Sequence, residues 1–197
     1  MREYKTKKDV ELIEKKRVFQ GFFALDLYRL KFKLFSGEWS HEIEREMFER
    51  GDTVAVLPYD PVRKEVILIE QFRAAALKDE VSPWLLEAVA GMVEKGEAND
   101  EVAVRELKEE TGLHVSKLIP ISRFWLSQGG TSETCQLYCA EIDAAKASEF
   151  AGLPEENEDI KVHRVSFEKA FEWVESGYIN TVPAIIGLQW LRINHVK

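Results

Sequence analysis

The sequence predicts an α/β protein with a small antiparallel β-sheet at its N-terminus. Three observations carry this. Residues 10–50 are rich in aromatics and alternate in part with period two, the mark of half-buried strands. From Thr53 onward, continuous apolar runs typical of buried strands are interleaved with segments of helical period. The chain has 197 residues, 45% hydrophobic and 31% charged, an ordinary globular composition for one domain with a smaller appendage. We place the boundary between an N-terminal region, 1–50, and a main domain, 51–197.

Within the first region, Arg17–Phe32 alternates, Ser36-Gly37-Glu38 signals a turn, and His41–Arg50 resumes the alternation before Gly51-Asp52. Two or three such strands are marginal alone, so they are expected to pack on the main domain or on a second subunit. In the main domain, Val54–Pro58 and Val66–Phe72 read as buried strands joined by a turn at Tyr59–Lys64. Trp84–Ala90 reads as one further strand, running into a loop at Gly91–Glu97. Asn99 is the expected N-cap of a helix that ends at Thr111, with Gly112 beyond its C-terminus. Strands are expected near 114–126 and 134–142, a loop near 151–159, a strand at Ile160–Val165, and helices at Phe167–Ser176 and Pro183–Asn194.

Charge and cysteine content exclude several classes. Lys and Arg number 27 against 35 Asp and Glu, a net charge of −8. Such a chain has no global electrostatic attraction to a nucleic acid polymer or an anionic membrane. No window approaches the roughly 18 apolar residues of a membrane span, and the start lacks the apolar stretch of a signal peptide. The two cysteines, Cys135 and Cys139, stand four apart on an expected strand, too distant to bridge. A cytoplasmic location is therefore expected.

The helix after Asn99 carries the chemistry. At about 100° per residue, with Glu106 at the origin, Glu110 falls near 40° and Glu109 near −60°. Ala103, Leu107 and Val104 form an adjacent apolar face. Like charges at this spacing repel, and only Arg105 is placed to pair with Glu109. A Glu-rich helix is ordinarily a solvated surface helix. Converging carboxylates equally suit a hard divalent cation such as magnesium or manganese, which retains sites for substrate phosphates.

The spacing decides between these. Gly91, Glu97, Arg105, Glu106, Glu109, Glu110 and Gly112 follow the pattern G-x5-E-x7-R-E-u-x-E-E-x-G-u, and Leu107 and Leu113 fill both apolar (u) positions. Seven fixed matches arise by chance on the order of once in 10^8 windows at average residue usage. The chain resembles the Nudix hydrolases through this box. Gly21-Phe22-Phe23, Glu46–Gly51, Glu70–Arg73, Trp84–Ala90, Ser127–Glu133 and Glu155–Ile160 resemble the bacterial ADP-ribose pyrophosphatase branch. Gln128 stands where that branch usually has Pro.

The resemblance implies an α/β/α sandwich around a mixed sheet, in a homodimer whose N-terminal sheets exchange. It implies magnesium, with manganese as a substitute, held by Glu106, Glu110 and the Ala90 carbonyl. Glu109 joins them directly or through water, while Glu97 and Arg105 orient the others. It implies a nucleotide-sugar substrate, ADP-ribose cleaved to AMP and ribose 5-phosphate, with GDP-mannose as the alternative. The general base is expected in the acidic loop, at Glu156, with Glu158 as a metal-linked or alternative base. Arg73 is the expected phosphate clamp. Phe22, Arg45, Arg50, Met92, Ser127 and Glu133 are the further expected substrate contacts. Gly91 and Gly112 are expected to permit backbone conformations closed to other residues. His163 is expected to be structural.

Overall fold

In the computed structural model, which describes residues 5–78 and 80–194 apart from the Glu156 side chain, the alternating N-terminal segments form three antiparallel strands. These are β1 (Val10–Gln20), β2 (Ala24–Phe32) and β3 (Ile43–Glu49), in the order β1-β2-β3. They belong to one of two compact units, made of residues up to Gly51 together with Trp125–Glu133. β1 is an edge strand, exposed along its whole length, and it displays Leu12, Val18 and Phe19. On β2, the buried Asp26 is paired with Arg17 and, at 3.0 Å, with Lys15. A buried carboxylate is tolerated only with such partners.

The second unit, Asp52–Phe124 with Thr134–Lys197, holds the main sheet. Its strands are β4 (Thr53–Asp60), β5 (Glu65–Phe72), β6 (Trp84–Glu87), β7 (Val89–Met92), β8 (Lys117–Trp125), β9 (Thr134–Glu141), β10 (Phe150–Ala151) and β11 (Ile160–Ser166). The order is β10-β11-β5-β4-β9-β8, with β6 on β5 and β7 on β4. β4 runs parallel to β9 and antiparallel to β5 and β7, so the sheet is mixed. β4 is buried throughout, as its unbroken apolar run requires. Its Pro58 falls between the β7 pairing, which ends at Val56, and the β5 pairing, which begins at Tyr59. The missing proline N–H is accommodated in that gap.

Two apolar layers cover the sheet. Val54, Val56, Ile67 and Ile69 face Val102, Ala103 and Leu107 of α1 (Asn99–Thr111). Leu57, Val66 and Leu68 face Phe167 and Ala170 of α2 (Phe167–Glu175) and Ala184, Leu188 and Leu191 of α3 (Val182–Asn194). This is the expected α/β/α sandwich. Among the described residues, no helix is long and apolar enough to cross a membrane.

Three local expectations are corrected. The N-cap of α1 is Ala98, with no side-chain cap, and Asn99 is the first helical residue. Trp84–Ala90 is not one strand. Its alternation is unbroken, but the partner changes at Ala88, from β5 through Glu87↔Ile69 to β4 from Val89↔Val56. Gly91 and Met92 extend β7 rather than opening the loop. Finally, Val104 is 44% exposed while Val102 is buried. The buried arc of α1 therefore runs through Glu106 and Glu110 instead of beside them.

Candidate active site

α1 and β7 build the site. Glu110 is 2% exposed, and its Oε2 accepts the Ala90 N–H at 3.1 Å. Burial pushes the Glu110 carboxyl well above the usual range; the Ala90 amide opposes this, Glu158 and Glu106 add to it, and Arg73 opposes it. One turn earlier, burial raises the Glu106 carboxyl to about 7, against Arg105 and with help from Glu109 and Glu158. The sequence spacing brought Glu106, Glu109 and Glu110 together, and the fold adds Glu158 from the acidic loop. A turn around Pro154–Glu156 presents Glu158. Asn157 adopts the left-handed conformation there, and the Glu158 N–H donates to Leu153 O at 3.2 Å. The Glu156 side chain lies outside the described residues.

Arg105 organises the flank. Its Nη1 lies 2.8 Å from Glu106 Oε1 and 3.2 Å from Glu109 Oε2, and its Nη2 lies 3.7 Å from Glu97 Oε2. Glu97 in turn accepts the Glu94 N–H at 2.9 Å, closing the loop before α1. Gly91 is needed for a different reason from the one expected. Its φ is not positive; a Cβ there would overlap the Glu106 carboxylate. Gly112 does have the expected left-handed conformation, with φ of 72°.

Among the described residues, no three His, Cys, Asp or Glu side chains already stand together at metal-ligand spacing. Glu106 is drawn to Arg105 and Glu110 to Ala90. The donor set nevertheless fits a hard cation. It is all oxygen, it is partly desolvated, and Glu158 helps raise both Glu106 and Glu110, a strain that a divalent charge relieves.

Arg73, just after β5, is bound to Glu87 of β6 by Nε at 3.0 Å and Nη2 at 2.9 Å. Sequence reading missed Glu87, although a single carboxylate within the apolar run Trp84–Ala90 was a usable signal. Met92 ends β7 and is partly exposed.

The other expected substrate residues lie in the first unit. Phe22 is 87% exposed and packs edge-on to Phe23. Arg50 sits over the Phe23 ring, with Nε 3.5 Å from Glu133 Oε2, and that buried Nε has no hydrogen-bond partner. Arg45 is exposed, donating only to the Glu44 carbonyl among its hydrogen bonds in the described residues. Ser127 O accepts the N–H groups of Gly130 and Thr131, each at 3.0 Å, so the turn closes with Gln128 in place of proline. Gly130 O then accepts the Phe48 N–H at 2.8 Å, which pins this loop to β3.

His163 lies 2.8 Å from Glu70 on the neighbouring strand, a structural pairing. Cys135 and Cys139 are buried free thiols, and burial pushes the Cys139 thiol up to about 12.

The site is thus a helix with desolvated carboxylates laid against a glycine-bearing strand inside an α/β/α sandwich. The NUDIX domain pattern matches residues 49–184, and the chain belongs to the Nudix family. It is 52% identical over 189 residues to a protein of Escherichia coli (strain K12) named ADP-ribose pyrophosphatase, covering 96% of this chain and 90% of that one. It is 34% identical over 191 residues to a GDP-mannose pyrophosphatase of Cronobacter sakazakii, covering 95% and 97%. A crystal structure titled as an ADP compounds hydrolase superposes with a TM-score of 0.71 at 19% identity, over 98% of this chain and all of that one.

Proposed function

We propose that this chain hydrolyses ADP-ribose to AMP and ribose 5-phosphate with the help of a divalent cation, magnesium foremost and manganese as a substitute. The observation that carries the reading is the buried Glu110 carboxylate, joined by Glu106 and Glu158 in a mutually repelling cluster. The substrate reading is supported by 52% identity to an ADP-ribose pyrophosphatase, against 34% to a GDP-mannose pyrophosphatase.

In this reading, Glu106, Glu110, Glu158 and the Ala90 carbonyl hold the cation, with Glu109 directly or through water. When bound, the cation neutralises the pyrophosphate and stabilises charge on the leaving phosphate. Arg105 and Glu97 orient the carboxylates. Arg73 clamps a phosphate through its guanidinium. Glu156 removes the proton from the attacking water, and Glu158, whose charge is felt at both Glu106 and Glu110, serves the cation. Water adds to one phosphorus, the P–O–P bond breaks, and the two products each leave with one phosphate.

The protein acts as a homodimer. The exposed apolar side chains Leu12, Val18 and Phe19 on the edge strand β1 support this, since a three-stranded sheet is marginal alone. Phe22 stacks on the adenine, reached from the second subunit by Arg45 or Arg50, while Met92, Ser127 and Glu133 are further substrate contacts. Two buried free thiols suit a reducing cytoplasm.

Incubation with ADP-ribose and magnesium, followed by chromatographic separation of products, tests the reading. AMP and ribose 5-phosphate in equal amounts, lost on chelation, support it. Adenosine, free phosphate or no product overturns it.

A further inference from the structure

We propose that Glu87 is a positioning residue for substrate binding, acting through Arg73. The inference rests on the reading of Arg73 as a phosphate clamp and adds the group that aims it. Glu87 Oε2 accepts the N–H of Arg73 Nε at 3.0 Å and of Gln71 Nε2 at 3.2 Å, and the charged Arg73 Nη2 lies 2.9 Å from it. Gln71 is buried, and Glu87 is 15% exposed. The Arg73 backbone is fixed as well, its N–H donating to Pro83 O at 2.8 Å. One edge of the guanidinium is thus locked, which sets its plane, and a guanidinium carries five donors, of which Glu87 faces two.

Stability does not explain this arrangement. The Arg73 side chain is 43% exposed, and ion pairs of such exposure contribute little to folding. Position fits the role. Glu87 is three residues before Ala90 along the same stretch of chain, and the Arg73 charge is felt at Glu110. Glu87 therefore links the clamp to the strand that carries the catalytic backbone.

A double-mutant cycle tests this with steady-state kinetics on ADP-ribose and magnesium, using the full-length protein. Arg73→Ala and Glu87→Ala are each expected to raise KM about tenfold with kcat changed less than about threefold, because a phosphate contact made equally in ground and transition state acts on KM. Glu87→Gln, which keeps the shape and one acceptor, is expected to show a smaller rise in KM at an unchanged melting temperature. In the Arg73→Ala background, Glu87→Ala is expected to change nothing further. Additive effects in the double mutant, or an unchanged KM in Glu87→Ala, would overturn the proposal. Calorimetric affinity for AMP runs in parallel with the same expectations. If the wild type fails to turn over ADP-ribose, the functional reading falls, and the AMP cycle still decides the role of Glu87.

Discussion

Glu110 Oε2 accepts the N–H of Ala90 at 3.1 Å, tying the last turn of α1 to β7 across the sheet face. This bond holds a nearly fully buried carboxylate beside the backbone carbonyl proposed to share its cation. Replacing Glu110 with Gln keeps the acceptor and removes the charge. The kcat of Glu110→Gln is expected to fall by about 10^3 or more if Glu110 holds the cation as proposed, since its carboxylate is the most deeply buried of the cluster. Without metal, its melting temperature is expected to equal or exceed that of the wild type, because an ionised carboxylate no longer has to be desolvated. Scanning calorimetry with and without magnesium checks both halves.

The same burial sets a pH dependence. Glu106 is raised to about 7 in the folded protein, and Glu110 is raised well above the ordinary value of 4.5. Folded protein therefore binds more protons than unfolded protein above pH 4.5, and stability falls with rising pH in that window. The metal-free melting temperature is expected to decline from about pH 4.5 through about pH 7 as Glu106 ionises. Saturating magnesium is expected to flatten this decline, because the cation displaces the protons. Glu106→Gln without metal is expected to show a shallower slope.

Gly91 is required by contact. A Cβ at that position would overlap the Glu106 carboxylate, so Gly91→Ala must push Glu106 away from β7. Activity is expected to fall about 100-fold, as displacement of a functional group by about 1 Å does. Stability is expected to fall by about 1–3 kcal/mol, the usual cost of overpacking. Kinetics and chemical denaturation of the same preparation separate the two effects.

Much of this was legible in the chain, and the gaps have physical causes. The two-layer core follows from unbroken apolar runs such as Val54–Leu57 and Val66–Ile69, whose alternate residues serve opposite faces. The box spacing located Glu106, Glu109 and Glu110 on one helix. A helical wheel does not say which arc is buried when carboxylates and apolar residues adjoin, so it puts Val104 on the apolar face beside Glu106 and Glu110, whereas Val104 is exposed and Glu110 buried. The break at Ala88 was invisible because side-chain alternation continues while the pairing partner changes. Glu87 was missed because its role depends on Arg73, which lies 14 residues away in sequence and adjacent only through the pairing of β5 with β6.

The acidic loop is proposed to carry two separate roles. Glu156→Gln is expected to lower kcat by about 10^2–10^4 with metal affinity unchanged, the effect of losing a general base. Glu158→Gln is expected to weaken magnesium binding, because its charge is shared with Glu106 and Glu110. Magnesium titrations of the initial rate in both variants distinguish the roles. A near-normal rate in Glu156→Gln with collapse in Glu158→Gln would reassign the base.

The substrate is the central claim, and one ratio tests it most directly: kcat/KM for ADP-ribose over that for GDP-mannose, measured on the wild-type protein with saturating magnesium. The account predicts a ratio above about ten, since a site built to hydrogen-bond one base discriminates against another. A ratio below about one tenth, or turnover of neither compound, would contradict it.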